Sequence, residues 1–152
     1  MKKDIVHFVY ALIAIVACSA IEELSPKILG VGVPALLSAA AYCSVRRPPI
    51  EGFMFAVAAG AAEDTLSSLP FATSLSFFVG MFAFMRGFKL SLAFAMPAYC
   101  LYHLWIWIWL GSSIDGSIML RFIASIPVGA IILVAISFAL RWLDGKAAMD
   151  EK

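Results

Sequence analysis

Charge is scarce in this sequence. Only 14% of its 152 residues are Asp, Glu, Lys or Arg, against 63% apolar side chains and a mean hydropathy of +0.97. Water does not solvate such a composition, and it points to an integral membrane protein. The formal net charge is +1, so no basic excess exists to attract nucleic acid, which is not an expected partner. Cysteine is equally sparse. Cys18, Cys43 and Cys100 stand alone inside apolar segments, with no CxxC and no histidine at ligand spacing, and read as small buried hydrophobes rather than disulfide halves or metal ligands. No GxSxG, HExxH, glycine-rich phosphate loop or Cys/His cluster occurs. Nothing in the chain gives a reason to expect an enzyme, a cofactor or a metal.

What is present is a series of apolar segments that predicts an all-α, polytopic membrane protein: one domain of about six transmembrane helices with short loops, over 5–21, 28–45, 53–69, 71–85, 90–110 and 118–140. The first segment has a basic start and a small-residue stretch, Ala17-Cys18-Ser19-Ala20, like a secretory leader. It is expected to be an uncleaved first helix, because the remaining segments are themselves membrane-spanning and need no leader. It carries Ala11, Ala14, Ala17 and Ala20 at three-residue spacing, which predicts a narrow side for helix packing, and it is expected to end at Glu22-Glu23. Gly30, Gly32 and Pro34 break the start of the second segment, and Arg46-Arg47-Pro48-Pro49 closes it. Lys2, Lys3, Arg46, Arg47, Arg86, Lys89, Arg141, Lys146 and Lys152 fall on the terminal side of this scheme and only Lys27 and Arg121 fall opposite, which predicts cytoplasmic termini. Glu22-Glu23, Glu63-Asp64, Asp115 and Trp105, Trp107 and Trp109 then lie toward the outer face.

The most conspicuous stretch is Gly52–Arg86, an apolar hairpin interrupted by Pro70 and carrying the adjacent acids Glu63 and Asp64. Asp64 lies about twelve residues from the basic end, or roughly 18 Å along a helix axis. Ionisable groups at that depth usually face protein or water and mark a site, with turn chemistry before Pro70 the plainer alternative. Ala56, Ala58, Ala59, Gly60, Ala61 and Ala62 make this third segment narrow on every side, so it is expected to be the innermost helix. Ser67, Ser68, Thr73, Ser74 and Ser76 supply hydroxyls for the carboxylates or for freed backbone groups. His103 sits among Tyr99, Tyr102 and Trp105, either as a satisfied core histidine or as a relay partner of Glu63 or Asp64.

An Arg-Arg-Pro segment end, then a small-residue helix with Gly60 and Asp64 followed by Leu-Ser-Ser-Leu-Pro, a serine-rich start to the next helix and Arg86 at its end together resemble the MreD family of bacterial rod shape-determining membrane proteins. The resemblance covers mainly Val33–Arg86, and Pro34 corresponds to the proline of that family's second span. Where the family commonly has a glycine after the acidic turn, this chain has Phe71-Ala72-Thr73. The resemblance implies a non-enzymatic scaffold of the cell-elongation, peptidoglycan-synthesis machinery in the inner membrane, with MreC-like and RodA-like proteins and the latter's transpeptidase as partners. Gly60, Glu63, Asp64, Pro34, Arg46, Arg47, Arg86 and His103 are the structural or partner-binding candidates. Two other classes stay open: a vitamin-like small-molecule binding subunit, similar to the substrate-binding components of energy-coupling-factor transporters, and a small membrane enzyme or channel.

Overall fold

A computed structural model of the chain describes residues 2–29, 33–67, 70, 72–110 and 116–149. They form six α-helices: α1 (Lys2–Leu29), α2 (Ala35–Arg46), α3 (Pro49–Leu66), α4 (Thr73–Gly87), α5 (Ala95–Leu110) and α6 (Gly116–Met149), with a 3-10 turn, Leu92–Phe94, before α5. No strand occurs among the described residues. Two stretches are long and apolar enough to cross a membrane, Val9–Ile28 in α1 and Ile123–Leu143 in α6, with only 11% and 22% of them buried.

The all-α expectation holds, but several boundaries move. The first helix does not stop at Glu22-Glu23; it runs through Pro26 to Leu29. Proline removes the N–H that would bond the carbonyl four residues back, and here that carbonyl, Glu22 O, accepts a hydrogen bond from Ser25 Oγ at 3.2 Å. The second helix starts at Ala35 rather than 28, since Pro34 can precede a helix but not sit inside one cheaply. Pro48 and Pro49 act twice. They hold Arg47 extended (φ −92°, ψ 160°) and end α2, and Pro49 then takes the first helical position of α3, where its missing N–H costs nothing. The hairpin expected over 53–69 and 71–85 has α3 from Pro49 to Leu66 and α4 from Thr73 to Gly87, leaving room for a true link at 67–72. Its residues 68, 69 and 71 lie outside the described set.

The innermost helix is α2, not the third segment. Every residue from 33 to 44 is buried, and α2 packs against α1, α3, α4, α5 and α6. The narrow residues of α3 run all round the helix and so could not indicate a face; Phe53, Met54, Ala58 and Ala61 are exposed. Nor do the α1 alanines form one side. A helix turns about 100° per residue, so three-residue spacing drifts about 60° per step, and Ala17 and Ala20 have rotated out to the surface while Ala14, Cys18 and Ser25 face the core.

Backbones meet most closely at Gly60. A Cβ there would lie 2.6 Å from Leu75 Cα and 3.2 Å from Ser74 O, so α3 and α4 touch main chain to main chain. The far end of α4 closes with Lys89 in the left-handed region (φ 51°), its N–H donating to Arg86 O and the Leu90 N–H to Met85 O, a Schellman arrangement.

Candidate functional site: charged helix closures and an acidic cavity

Glu63 and Asp64 are neighbours in α3, but at about 100° per residue their side chains diverge. Asp64 turns to α4. Its Oδ1 accepts the Ser74 N–H at 2.6 Å and its Oδ2 the Leu75 N–H at 3.3 Å, while the Thr73 N–H donates to Pro70 O at 3.1 Å. The first three amides of α4, which a helix leaves without internal partners, are thereby satisfied, and the carboxylate sits at the positive end of the helix dipole. The carboxylate is buried, the residue being 7% exposed. The preceding Ala72 adopts φ 68°, ψ 10°, a left-handed conformation that glycine takes without the cost of roughly 1–2 kcal/mol borne by other residues.

The same closure recurs at both ends of α2. At its start the Leu36 N–H donates to Glu22 Oε1 at 2.9 Å. At its end Arg86 Nη1 donates to the carbonyl oxygens of Ser44 (3.0 Å) and Arg47 (2.7 Å). Positive charge at a helix C-terminus and negative charge at an N-terminus each complement the dipole as well as the orphaned backbone groups. Arg47 lies beside Glu51 at 3.3 Å, and Arg46 is exposed at that same end, well away from the acids. Pro34, before α2, packs against α6, where a Cβ on Gly129 would lie 3.2 Å from Pro34 Cδ.

Glu63 turns the other way. Its Oε1 accepts Ser67 Oγ at 2.9 Å and the Tyr102 hydroxyl at 3.3 Å. Because a phenol has one hydrogen, the 2.7 Å bond between Tyr102 and Ser74 Oγ is donated by the serine. Trp105 Nε1 donates to Thr73 O at 3.0 Å, tying α5 to the same junction.

Glu63, Glu22 and His103 line a common cavity of about 470 Å³, with Tyr99, Tyr102, Ser67, Pro34 and Phe78 among its walls. The His103 ring stands edge-on to Tyr99, with centroids 4.7 Å apart. The sequence left open whether His103 meets an acid; the structure puts it beside the cavity of Glu63, whereas Asp64 is not among the lining residues. The carboxyls of Glu22 and Glu63 come within hydrogen-bonding reach. As two carboxylates neither has a hydrogen to offer, and Glu22 Oε2, sealed from solvent, has no donor. Glu22 is the candidate site residue that sequence reasoning missed. Its position four residues after Cys18, on the Ala14–Cys18 face, was the available signal. No group of three or more metal-ligating side chains exists among the described residues. No protein-family model, curated protein or solved structure matches the chain.

Proposed function

We propose that the chain is a six-span inner-membrane protein with cytoplasmic termini that acts as a non-enzymatic scaffold of the bacterial cell-elongation machinery. The observation that carries the reading is the use made of the charges in the core: Asp64, Glu22 and Arg86 each bond backbone groups at a helix end. In a bilayer that use is needed. A helix of 12 residues such as α2 is only about 18 Å long, against a hydrocarbon core of about 30 Å, so with Arg46 and Arg47 at one interface its other end lies where no water can satisfy it. Residues such as Val16, Ile28, Ile131, Val134 and Phe138 are large, apolar and exposed on α1 and α6, a surface suited to lipid and to the helices of other membrane proteins. The nine-to-two division of Lys and Arg supports inward termini.

On this reading the partners are those implied by the resemblance, MreC-like and RodA-like proteins with the associated transpeptidase. The test is pull-down of the tagged protein from native membranes. Recovery of those partners in stoichiometric amounts is expected, and recovery of an ATP-driven transporter module in their place would replace the scaffold reading with the transport one.

A further inference from the structure

We propose that the cavity between α1, α2, α3 and α5 binds a small organic ammonium cation, held between the Glu22 and Glu63 carboxylates and the aromatic rings of α5. Three features point to a cation. Glu22 Oε2 is buried with no hydrogen-bond donor, and such an acceptor is costly unless something donates to it. A second carboxylate, Glu63, comes within hydrogen-bonding reach of the Glu22 carboxyl, so the ionised pair repels itself unless a proton or another positive charge lies between. Lys27, the one Lys or Arg among the described lining residues, is engaged at 3.1 Å with Glu23, and both of those side chains are more than 60% exposed.

The walls distinguish an organic cation from a metal ion. Calcium takes about six to eight oxygen ligands; of the three glutamates that line this cavity Glu23 is engaged by Lys27, and no group of three or more His, Cys, Asp or Glu side chains among the described residues is placed to hold a metal ion. It does present Tyr99, Tyr102 and Phe78, rings of the kind that attract alkylammonium groups through their faces. Its volume of about 470 Å³ falls within the usual range of roughly 300–1,000 Å³ for small-molecule sites. An ammonium N–H would satisfy Glu22 Oε2, and its charge would hold the two carboxylates together. The inference does not rest on the scaffold reading, since it concerns the interior of the bundle and not the lateral faces that partners would use.

The experiment is isothermal titration of the full chain in detergent micelles with benzylammonium, with benzyl alcohol as the neutral analogue of the same shape and with sodium and calcium as inorganic competitors. Saturable benzylammonium binding is expected, with none for the alcohol and no displacement by either metal ion. Glu63→Gln should weaken binding about tenfold or more, as loss of a charge-assisted hydrogen bond implies, and Glu22→Gln should do the same. Glu51→Gln, at the opposite end, should leave binding unchanged. Glutamine at position 63 keeps an acceptor for Ser67 and Tyr102, so this variant carries the test even if position 22 proves essential for folding. Absence of benzylammonium binding, equal binding of the alcohol, displacement by calcium or sodium, or unchanged affinity in Glu63→Gln would each overturn the proposal.

Discussion

Replacing Gly60 with alanine adds one methyl carbon at the point where α3 and α4 touch, and the structure leaves no room for it. The added carbon would stand 2.6 Å from Leu75 Cα and 3.1 Å from Leu75 N, whereas non-bonded carbons rest about 3.5–4.0 Å apart. The neighbouring atoms are backbone, so no rotamer change relieves the clash and the helices must part by about 1 Å. That movement acts on the next turn of α3, where Asp64 Oδ2 already reaches 3.3 Å to the Leu75 amide; a further ångström breaks the bond. Overpacking and loss of a hydrogen bond to a charged group together put the cost at about 2–4 kcal/mol. Thermal unfolding of the purified protein, followed by tryptophan emission, should show a drop of roughly 5–15 °C. Trp105, bonded to Thr73 O, reports on this junction. Gly80→Ala is the control, because no atom lies within 4 Å of its Cβ position and it sits in the body of α4; there alanine should be neutral or stabilising by up to about 1 kcal/mol. Equal melting of the two variants would refute the close-approach argument, and so would additive losses in Gly60→Ala/Asp64→Asn, since the account makes the two residues serve one junction.

Other outcomes follow from the same geometry. Arg86→Met should destabilise by about 1–3 kcal/mol by orphaning the Ser44 and Arg47 carbonyls, read as faster proteolysis at the α2–α3 link. Ala72→Gly should leave thermal stability unchanged or raise it slightly by relieving the left-handed strain, whereas Ala40→Gly in α2 should lower it by roughly 0.5–1 kcal/mol or more. Val134→Leu, on an exposed apolar surface, should accumulate and melt like the parent. Single cysteines at positions 68 and 152, placed in a background lacking the native three, should react with a membrane-impermeant reagent from outside and only after lysis, respectively; the reverse pattern would invert the proposed topology.

Much of this architecture was legible in the sequence. The apolar segments, the proline breaks and the importance of Gly60 and Asp64 could be read from residue type and spacing, because each depends on local chemistry. What escaped depended on partners distant in sequence. Composition could not show that Asp64 would bind the amides of Ser74 and Leu75 while Glu63 served Tyr102, since adjacent residues on a helix face different neighbours. Glu22 read as a segment end because acidic residues normally mark one; only the continuation of α1 through Pro26 brings it to the start of α2. The central position of α2 was obscured by its short length and by the glycines before it, although its run of Ala, Ser and Cys is what close packing on every side requires.

The most direct test of the claim that Asp64 holds the hairpin together without taking part in turnover is to compare Asp64→Asn with Asp64→Leu for membrane abundance, partner co-purification and restoration of cell shape. Asparagine keeps an oxygen for the Ser74 amide, whereas leucine leaves the buried Ser74 amide unpaired at about 1–3 kcal/mol and the part-buried Leu75 amide unpaired as well. The account predicts near-normal abundance and substantial activity for asparagine and loss of both for leucine. Complete loss of activity in Asp64→Asn, with abundance and partner binding intact, would contradict it and assign the carboxylate a titrating role.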